Sequence, residues 1–223
     1  MEIIYSHYEE CGGASIIGLY KSPLTSTTYN TYWRWLEDMT DFKGGTTEFG
    51  NIPREQKFYD INMRYFSKKW KNQNMPRWMS HKYDSMLLQL QDNIQQLIAP
   101  LPIFHYPGVK KPTLNSCLIN KYSDGSCSIK AHRDSCDTFG PNPTVIGLSL
   151  GDERTIVFKR ILYDPNNLKS IKINTNNPEE IRVPLPSGSI MIMAGCIQKY
   201  FSHEIPKCKN KKKRYSLTFR EYL

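Results

Sequence analysis

Lys130-Ala131-His132-Arg133-Asp134 is the stretch from which the rest of the chain is read. On an extended strand alternate side chains share a face, so His132 and Asp134 point the same way and can grip one metal ion. The pair needs a third ligand. His203, in the later extended segment Tyr200-Phe201-Ser202-His203-Glu204-Ile205, is the candidate. Two histidines and one carboxylate form the facial triad of non-haem Fe(II) oxygenases, which leaves coordination positions free for a co-substrate and O2. Taken alone, an HxD tripeptide is a weak signal.

The end of the chain strengthens it. Arg214, Ser216, Thr218 and Arg220 alternate with Tyr215, Leu217 and Phe219 in a strict period of two, so one strand face carries two arginines. Such a strand is either a half-exposed edge with a solvated polar face or the lining of a barrel. The apolar run from Ser189 to Ala194 favours a packed sheet. A guanidinium facing a barrel interior needs an anionic partner, because an unpaired buried charge is very costly. A small dicarboxylate supplies two, each gripped bidentately.

From about residue 47 onward the chain resembles the AlkB family of Fe(II)- and 2-oxoglutarate-dependent dioxygenases, and most of all its members that repair duplex DNA. The motifs that carry the resemblance are Asn120-Lys121-Tyr122 (NxY), His132 with Asp134 (HxD), His203, and Arg214-Tyr215-Ser216-Leu217-Thr218-Phe219-Arg220 (RxNxTxR), with Ser216 standing where the family has asparagine. The resemblance implies that His132, Asp134 and His203 hold Fe(II), and that Arg220 and Tyr122 take the far carboxylate of 2-oxoglutarate. Arg214 and Asn120 would then help fix the end that chelates iron, with Ser216 on the same wall. It also implies a reaction: O2 and 2-oxoglutarate give succinate and CO2, an N-methyl group on a damaged base is hydroxylated, and formaldehyde leaves.

The 223 residues suffice for one domain with a sizeable core, and no domain split is visible. No run of 18 apolar residues occurs, and Met1-Glu2-Ile3-Ile4-Tyr5 lacks the basic and apolar regions of a secretion signal. The expectation is an intracellular protein of nucleus or cytoplasm, monomeric and without a membrane partner. Cys11, Cys117, Cys127, Cys136, Cys196 and Cys208 form no CxxC pair, which speaks against a zinc knuckle or a thioredoxin-like motif and for free thiols in a reducing compartment. A net charge of +9 and a pI near 9.2 favour a polyanionic partner.

Helical spacing of Tyr29, Tyr32, Trp33, Leu36 and Met39 predicts an amphipathic helix over 28–39. The glycines of Lys43-Gly44-Gly45-Thr46-Thr47-Glu48-Phe49-Gly50 mark a turn with Phe49 near its tip, either a packed anchor or a wedge between base steps. The resemblance favours the wedge: duplex-acting relatives carry a Phe-Gly finger before a Pro-Arg-x-Gln segment, here Phe49 and Gly50 before Pro53-Arg54-Glu55-Gln56. It also makes Tyr59 the residue that stacks on the target base. A second helix is expected on the stripe Met79, Tyr83, Met86, Leu87, Leu90, Ile94, Leu97 and Ile98, starting near Ser80 and ended by Pro100.

From Ser116 onward short strands alternate with Gly, Pro and Asn, at roughly 116–122, 129–134, 144–150, 154–160, 171–173, 181–185, 189–194, 199–205 and 214–222. The fold class is therefore mainly β with α, a jelly roll supported by helices. The resemblance makes that core a double-stranded β-helix over 116–223, behind N-terminal helices and a nucleotide-recognition lid over 1–115, all in one domain.

Between Ile205 and Tyr215 lie Lys207, Lys209, Lys211, Lys212, Lys213 and Arg214 with no acid. This run is a solvated loop, a localisation signal, or a phosphate clamp that adds salt-sensitive affinity without base specificity. Duplex-acting relatives follow HxD with an acid that contacts the base. Here Ser135 and Cys136 follow and the first acid is Asp137, so either Asp137 takes that part or discrimination is relaxed; a thiol is a poor acceptor. The leading reading is a DNA-repair dioxygenase acting on alkylated DNA, duplex or single-stranded. Its rivals are an oxygenase of methylated RNA or of a protein side chain, and a catalytically silent nucleic-acid-binding module, against which the full ligand set argues.

Overall fold

The structure, a computed structural model, describes residues 1–47, 50–167 and 170–223, and for residues 45–47, 50 and 51 the backbone alone. A hairpin of β1 (Glu2–Tyr8) and β2 (Ala14–Tyr20) leads to α1 (Ser26–Asp38) and to a second hairpin of β3 (Lys43–Thr47) and β4 (Gly50–Asp60). Then come α2 (Lys68–Asn72), α3 (Ser85–Ile98), β5 (Ser116–Tyr122), β6 (Ile129–His132) and the single turn α4 (Cys136–Phe139). The chain ends with β7 (Val145–Gly151), β8 (Arg154–Arg160), β9 (Glu180–Leu185), β10 (Ile190–Gly195), the turn α5 (Ile197–Tyr200), β11 (Phe201–Ile205) and β12 (Arg214–Arg220).

Two antiparallel sheets face each other as a jelly roll, one in the order β1-β2-β10-β7-β12-β5-β4-β3 and the other β6-β11-β8-β9. Strand alternation decides what each face of the larger sheet meets. On β10, Ile190, Ile192 and Ala194 pack toward the helices, while Met191 and Met193 point into the space between the sheets. Both faces are covered, which is why this strand reads as an unbroken apolar run. β12 follows the same rule: Tyr215, Leu217 and Phe219 enter the helix-side core, and the polar face looks between the sheets. Because β5 and β7 flank it, β12 is a central strand, and the edge-strand alternative falls.

Thr25 caps α1, its Oγ1 accepting from the Thr28 N–H at 3.2 Å, and Tyr32 and Leu36 are buried beneath it. The second helix begins at Ser85 rather than near Ser80. Asp84 Oδ1 accepts from the Leu87 N–H at 2.8 Å, and the preceding residues are held extended, with the His81 N–H donating to Phe58 O at 2.8 Å. Tyr83 stays in the core, whereas Met79 is 44% exposed. Leu87, Leu90, Ile94 and Ile98 form the buried stripe against the larger sheet. Leu90→Ala is expected to lower unfolding free energy by about 2–5 kcal/mol in a denaturant titration; a loss under ~1 kcal/mol would mean that the stripe is not core.

Several boundaries differ from expectation, among them the strands expected over 129–134 and 214–222, which end at His132 and Arg220. Ile173 makes only an isolated bridge to Ile161 in place of a strand over 171–173, β11 starts at Phe201 after the α5 turn, and the N-terminal part supplies four strands besides its helices. No helix among the described residues is long and apolar enough to cross a membrane.

Candidate metal centre and co-substrate pocket

β6 and β11 pair so that His132 and His203 are cross-strand neighbours, with ring centroids 4.3 Å apart, and the register shifts between His203 and Ile205. Asp134 lies just past the end of β6, its Oδ1 3.9 Å from Nε2 of each histidine. One donor atom from each of His132, Asp134 and His203 falls within 4.8 Å of the others. Donors sharing one ion at ~2.0–2.2 Å each lie roughly 3–4 Å apart, so the triad has the spacing for a metal. The His132 Nδ1 sits 2.9 Å from Lys130 O, a carbonyl that can only accept; a proton there leaves Nε2 free as a ligand. Burial, reinforced by His132, pushes the His203 imidazole down to about 3, so it is neutral and able to ligate at physiological pH.

Burial alone would raise the Asp134 carboxyl. Arg220, whose Nε donates to Oδ2 at 2.7 Å, and the two histidines together outweigh it and hold the group at about 2. One carboxylate oxygen is thus tied to Arg220 and the other faces the two imidazoles. A third support comes from α5, where the buried Gln198 accepts the Asp134 N–H on Oε1 at 3.0 Å.

The space between the sheets is an open cavity, lined by His132 and His203 at one side and by Arg54, Asn120, Tyr122, Ser149, Arg214, Ser216, Thr218 and Arg220 along its wall. Arg214 and Arg220 are six residues apart, roughly 20 Å along the strand, so they occupy opposite ends. Arg214 is fully buried; its Nη2 donates to Ser149 Oγ at 2.8 Å and its guanidinium lies 5.0 Å from the Tyr122 ring centroid, while Nε and Nη1 have no hydrogen-bond partner among the described residues. Arg220 is thus tied to Asp134, whereas Arg214, beside Tyr122, is the arginine of β12 that keeps donors without a partner among the described residues.

Asn120 and Ser216 face each other in register across β5 and β12, as expected, but Asn120 Oδ1 already accepts from Arg54 Nε at 2.7 Å. Arg54 is therefore part of the cavity wall. Tyr59 does not reach it. Alternation on β4 turns Arg54 toward the cavity and Tyr59 toward the helices, where it is 3% exposed and packs on His81 and Tyr83. A residue sealed in the core cannot stack on a base, so that expectation is corrected. Phe49 lies outside the described residues, and Gly50 opens β4. Cys136 and Asp137 form the first turn of α4 directly after the metal segment, Cys136 half-buried and Asp137 exposed. In the basic loop Lys211 pairs with Asp152 at 3.5 Å and Lys213 with Glu37 at 2.8 Å, so these two are committed to acids. Lys207, Lys209 and Lys212 are exposed, with no ion-pair partner among the described residues.

Sequence reasoning missed Ser149 and Gln198. The alternation of Gly147 and Ser149 as small residues on β7, opposite Thr218 and Ser216, was a usable sign of a lined cavity. Gln198 had none, since its role depends on the α5 turn. Arg154 was also missed: it is buried 5.5 Å from the Tyr122 ring centroid, donates to Cys127 O at 2.8 Å, and so pins the β5–β6 connection behind the pocket.

Residues 17–220 match the profile described as 2OG-Fe(II) oxygenase superfamily. The chain is 31% identical over 109 residues to the rat (Rattus norvegicus) alpha-ketoglutarate-dependent dioxygenase alkB homolog 3, covering 48% of this chain and 35% of that protein. It is 32% identical over 120 residues to the human (Homo sapiens) DNA oxidative demethylase ALKBH2, covering 53% of this chain and 44% of that protein. The chain thus spans less than half the length of either relative. Among solved structures, that of OsALKBH1 superposes with a TM-score of 0.58 at 14% identity, over 92% of this chain and 97% of the other, a likeness of fold.

Proposed function

Because the chain belongs to the 2OG-Fe(II) oxygenase superfamily, we propose that it is an AlkB-type dioxygenase that removes N-methyl groups of the 1-methyladenine and 3-methylcytosine kind from DNA, inside the cell. The observation that carries the oxygenase part is one cavity lined on one side by His132 and His203 of the His132–Asp134–His203 triad and, at the far end of its wall, by a buried Arg214 whose Nε and Nη1 have no hydrogen-bond partner among the described residues. Two neutral-capable imidazoles and an ionised carboxylate are a donor set for Fe(II). A buried cation with free donors is the partner of an anion. The residues present therefore fit both iron and 2-oxoglutarate.

His132, Asp134 and His203 would hold the iron, and Arg214 with Tyr122 and Ser149 the far carboxylate of the co-substrate. Bound iron supplies the O2 activation that couples 2-oxoglutarate decarboxylation to hydroxylation of the methyl carbon. The protein does the rest by placement. Arg220 keeps Asp134 ionised and oriented; Gln198 fixes the backbone beneath it; Met191, Met193 and Ile156 keep the wall between them apolar.

The nucleic-acid part is supported by the name of one relative, the human DNA oxidative demethylase ALKBH2, by the net charge of +9, and by the exposed Lys207, Lys209 and Lys212 beside the strand that bears Arg214. Because a stacked base cannot reach the triad inside a barrel, the target is single-stranded or flipped out. With Tyr59 withdrawn, Phe49 and Gly50, Arg54, Cys136 and Asp137 remain the candidates for substrate contact.

Succinate release with methylated duplex DNA, methylated single strands, methylated RNA, a peptide and no substrate, at two salt concentrations, tests the reading. Methylated DNA should stimulate most and high salt should weaken the effect. Phe49→Ala should lose more on duplex than on single strands. Stimulation by RNA alone, or by peptide alone, would reject DNA as the substrate.

A further inference from the structure

Two cysteines 185 positions apart meet outside the iron site. Cys11 is exposed in the turn between β1 and β2, Cys196 is buried at the head of α5, and their Sγ atoms are 3.4 Å apart. Backbone hydrogen bonds hold both in place: the Glu9 N–H donates to Gly13 O at 2.8 Å, the Gly12 N–H to Glu9 O at 2.9 Å, and the Cys196 N–H to Ala14 O at 2.8 Å. β2 and β10 bring Ser15 opposite Gly195, so the two thiols sit at the end of a paired ladder. A disulfide has a sulfur separation of ~2.0 Å, so the two sulfurs, 3.4 Å apart, already lie within van der Waals contact of each other.

We propose that Cys11 and Cys196 are a peroxide-oxidisable pair that closes into a reversible disulfide, fastening the β1–β2 turn to the head of α5. The surroundings divide the roles. The Gly13 backbone N–H, with Tyr200 and Lys199 beside it, lowers the Cys11 thiol, whereas burial pushes Cys196 up to about 12. Cys11 is thus the exposed and more acidic thiol of the two, the one that meets the oxidant.

Its sulfur attacks one oxygen of hydrogen peroxide, the O–O bond breaks, and the departing hydroxide takes a proton, leaving a sulfenic acid on Cys11 and one water. The Cys196 sulfur then attacks the Cys11 sulfur and displaces hydroxide, which leaves as a second water with the Cys196 proton. Two thiols lose two electrons and two protons, and the peroxide is reduced to two waters. The linked segment is the one that carries Gln198 and runs into His203, so the bond would tie the N-terminal hairpin to the support of the metal ligands.

The full chain, kept with a chelator so that iron-driven radicals do not contribute, is treated with near-stoichiometric hydrogen peroxide, and its free thiols and tryptic peptides are measured. The expected result is loss of two of the six thiols, one Cys11–Cys196 linked peptide, and full reversal by dithiothreitol. Cys11→Ser, a surface change that leaves the core intact, should retain its remaining thiols under the same dose. Cys11 carried to sulfinic acid without a cross-link, a link to another cysteine, or no thiol loss would each overturn the proposal. None of these readouts depends on the oxygenase reaction.

Discussion

Asp134→Ala and His203→Ala are each expected to abolish Fe(II) retention and to cut 2-oxoglutarate turnover by on the order of a thousandfold or more, about 4 kcal/mol at ~1.36 kcal/mol per decade. Asp134 should be the less forgiving. It offers one oxygen toward both imidazoles and gives the other to Arg220, so its loss removes a ligand and strands a buried guanidinium at once. His203 is buried and neutral, already in the protonation state a metal requires. Iron content after desalting and succinate release are the measurements, with circular dichroism to show that each variant is folded. Folded variants that still hold iron and still turn over would remove the metal assignment.

The two arginines of β12 should separate cleanly. Arg214→Lys is expected to raise the KM for 2-oxoglutarate about a hundredfold with iron binding unchanged, because a point charge cannot replace a bidentate grip worth roughly 1.5–3 kcal/mol per charge-assisted hydrogen bond. Arg220→Lys should instead weaken iron affinity about 10- to 100-fold, the usual effect of losing a partner that orients a ligand. The geometry behind this contrast is the pair of unpaired Arg214 nitrogens against the 2.7 Å bond from Arg220 to Asp134. The opposite result, with Arg220 controlling KM and Arg214 controlling iron, would restore the division expected from the motif alone.

How much of the site was legible depended on whether its logic was local. The alternation at Arg214–Arg220 showed one polar face, and the pairing of β12 with β5 and β7 turned that face into a cavity wall. Tyr59 marks the limit. Period two places it opposite Phe58, but nothing nearby in the chain says which of the two faces points at iron. The start of α3 is a second case: Asp84 and Ser80 are both competent caps, and the bond from His81 to β4, a strand far away in sequence, chose between them.

The amino-acid order by itself determined the ligand types and their spacing, the two-arginine face, the apolar runs that must be buried, and the basic loop. These follow from strand and helix periods, which act over a few residues and need no knowledge of neighbours. Only the tertiary structure decided that His203 stands beside His132, that Arg220 and not Arg214 is committed to Asp134, that Gln198 supports the metal segment, and that Cys11 faces Cys196. Each of those depends on which strands lie side by side and in what register, a choice made by packing two sheets and a helical layer together rather than by any stretch of sequence alone.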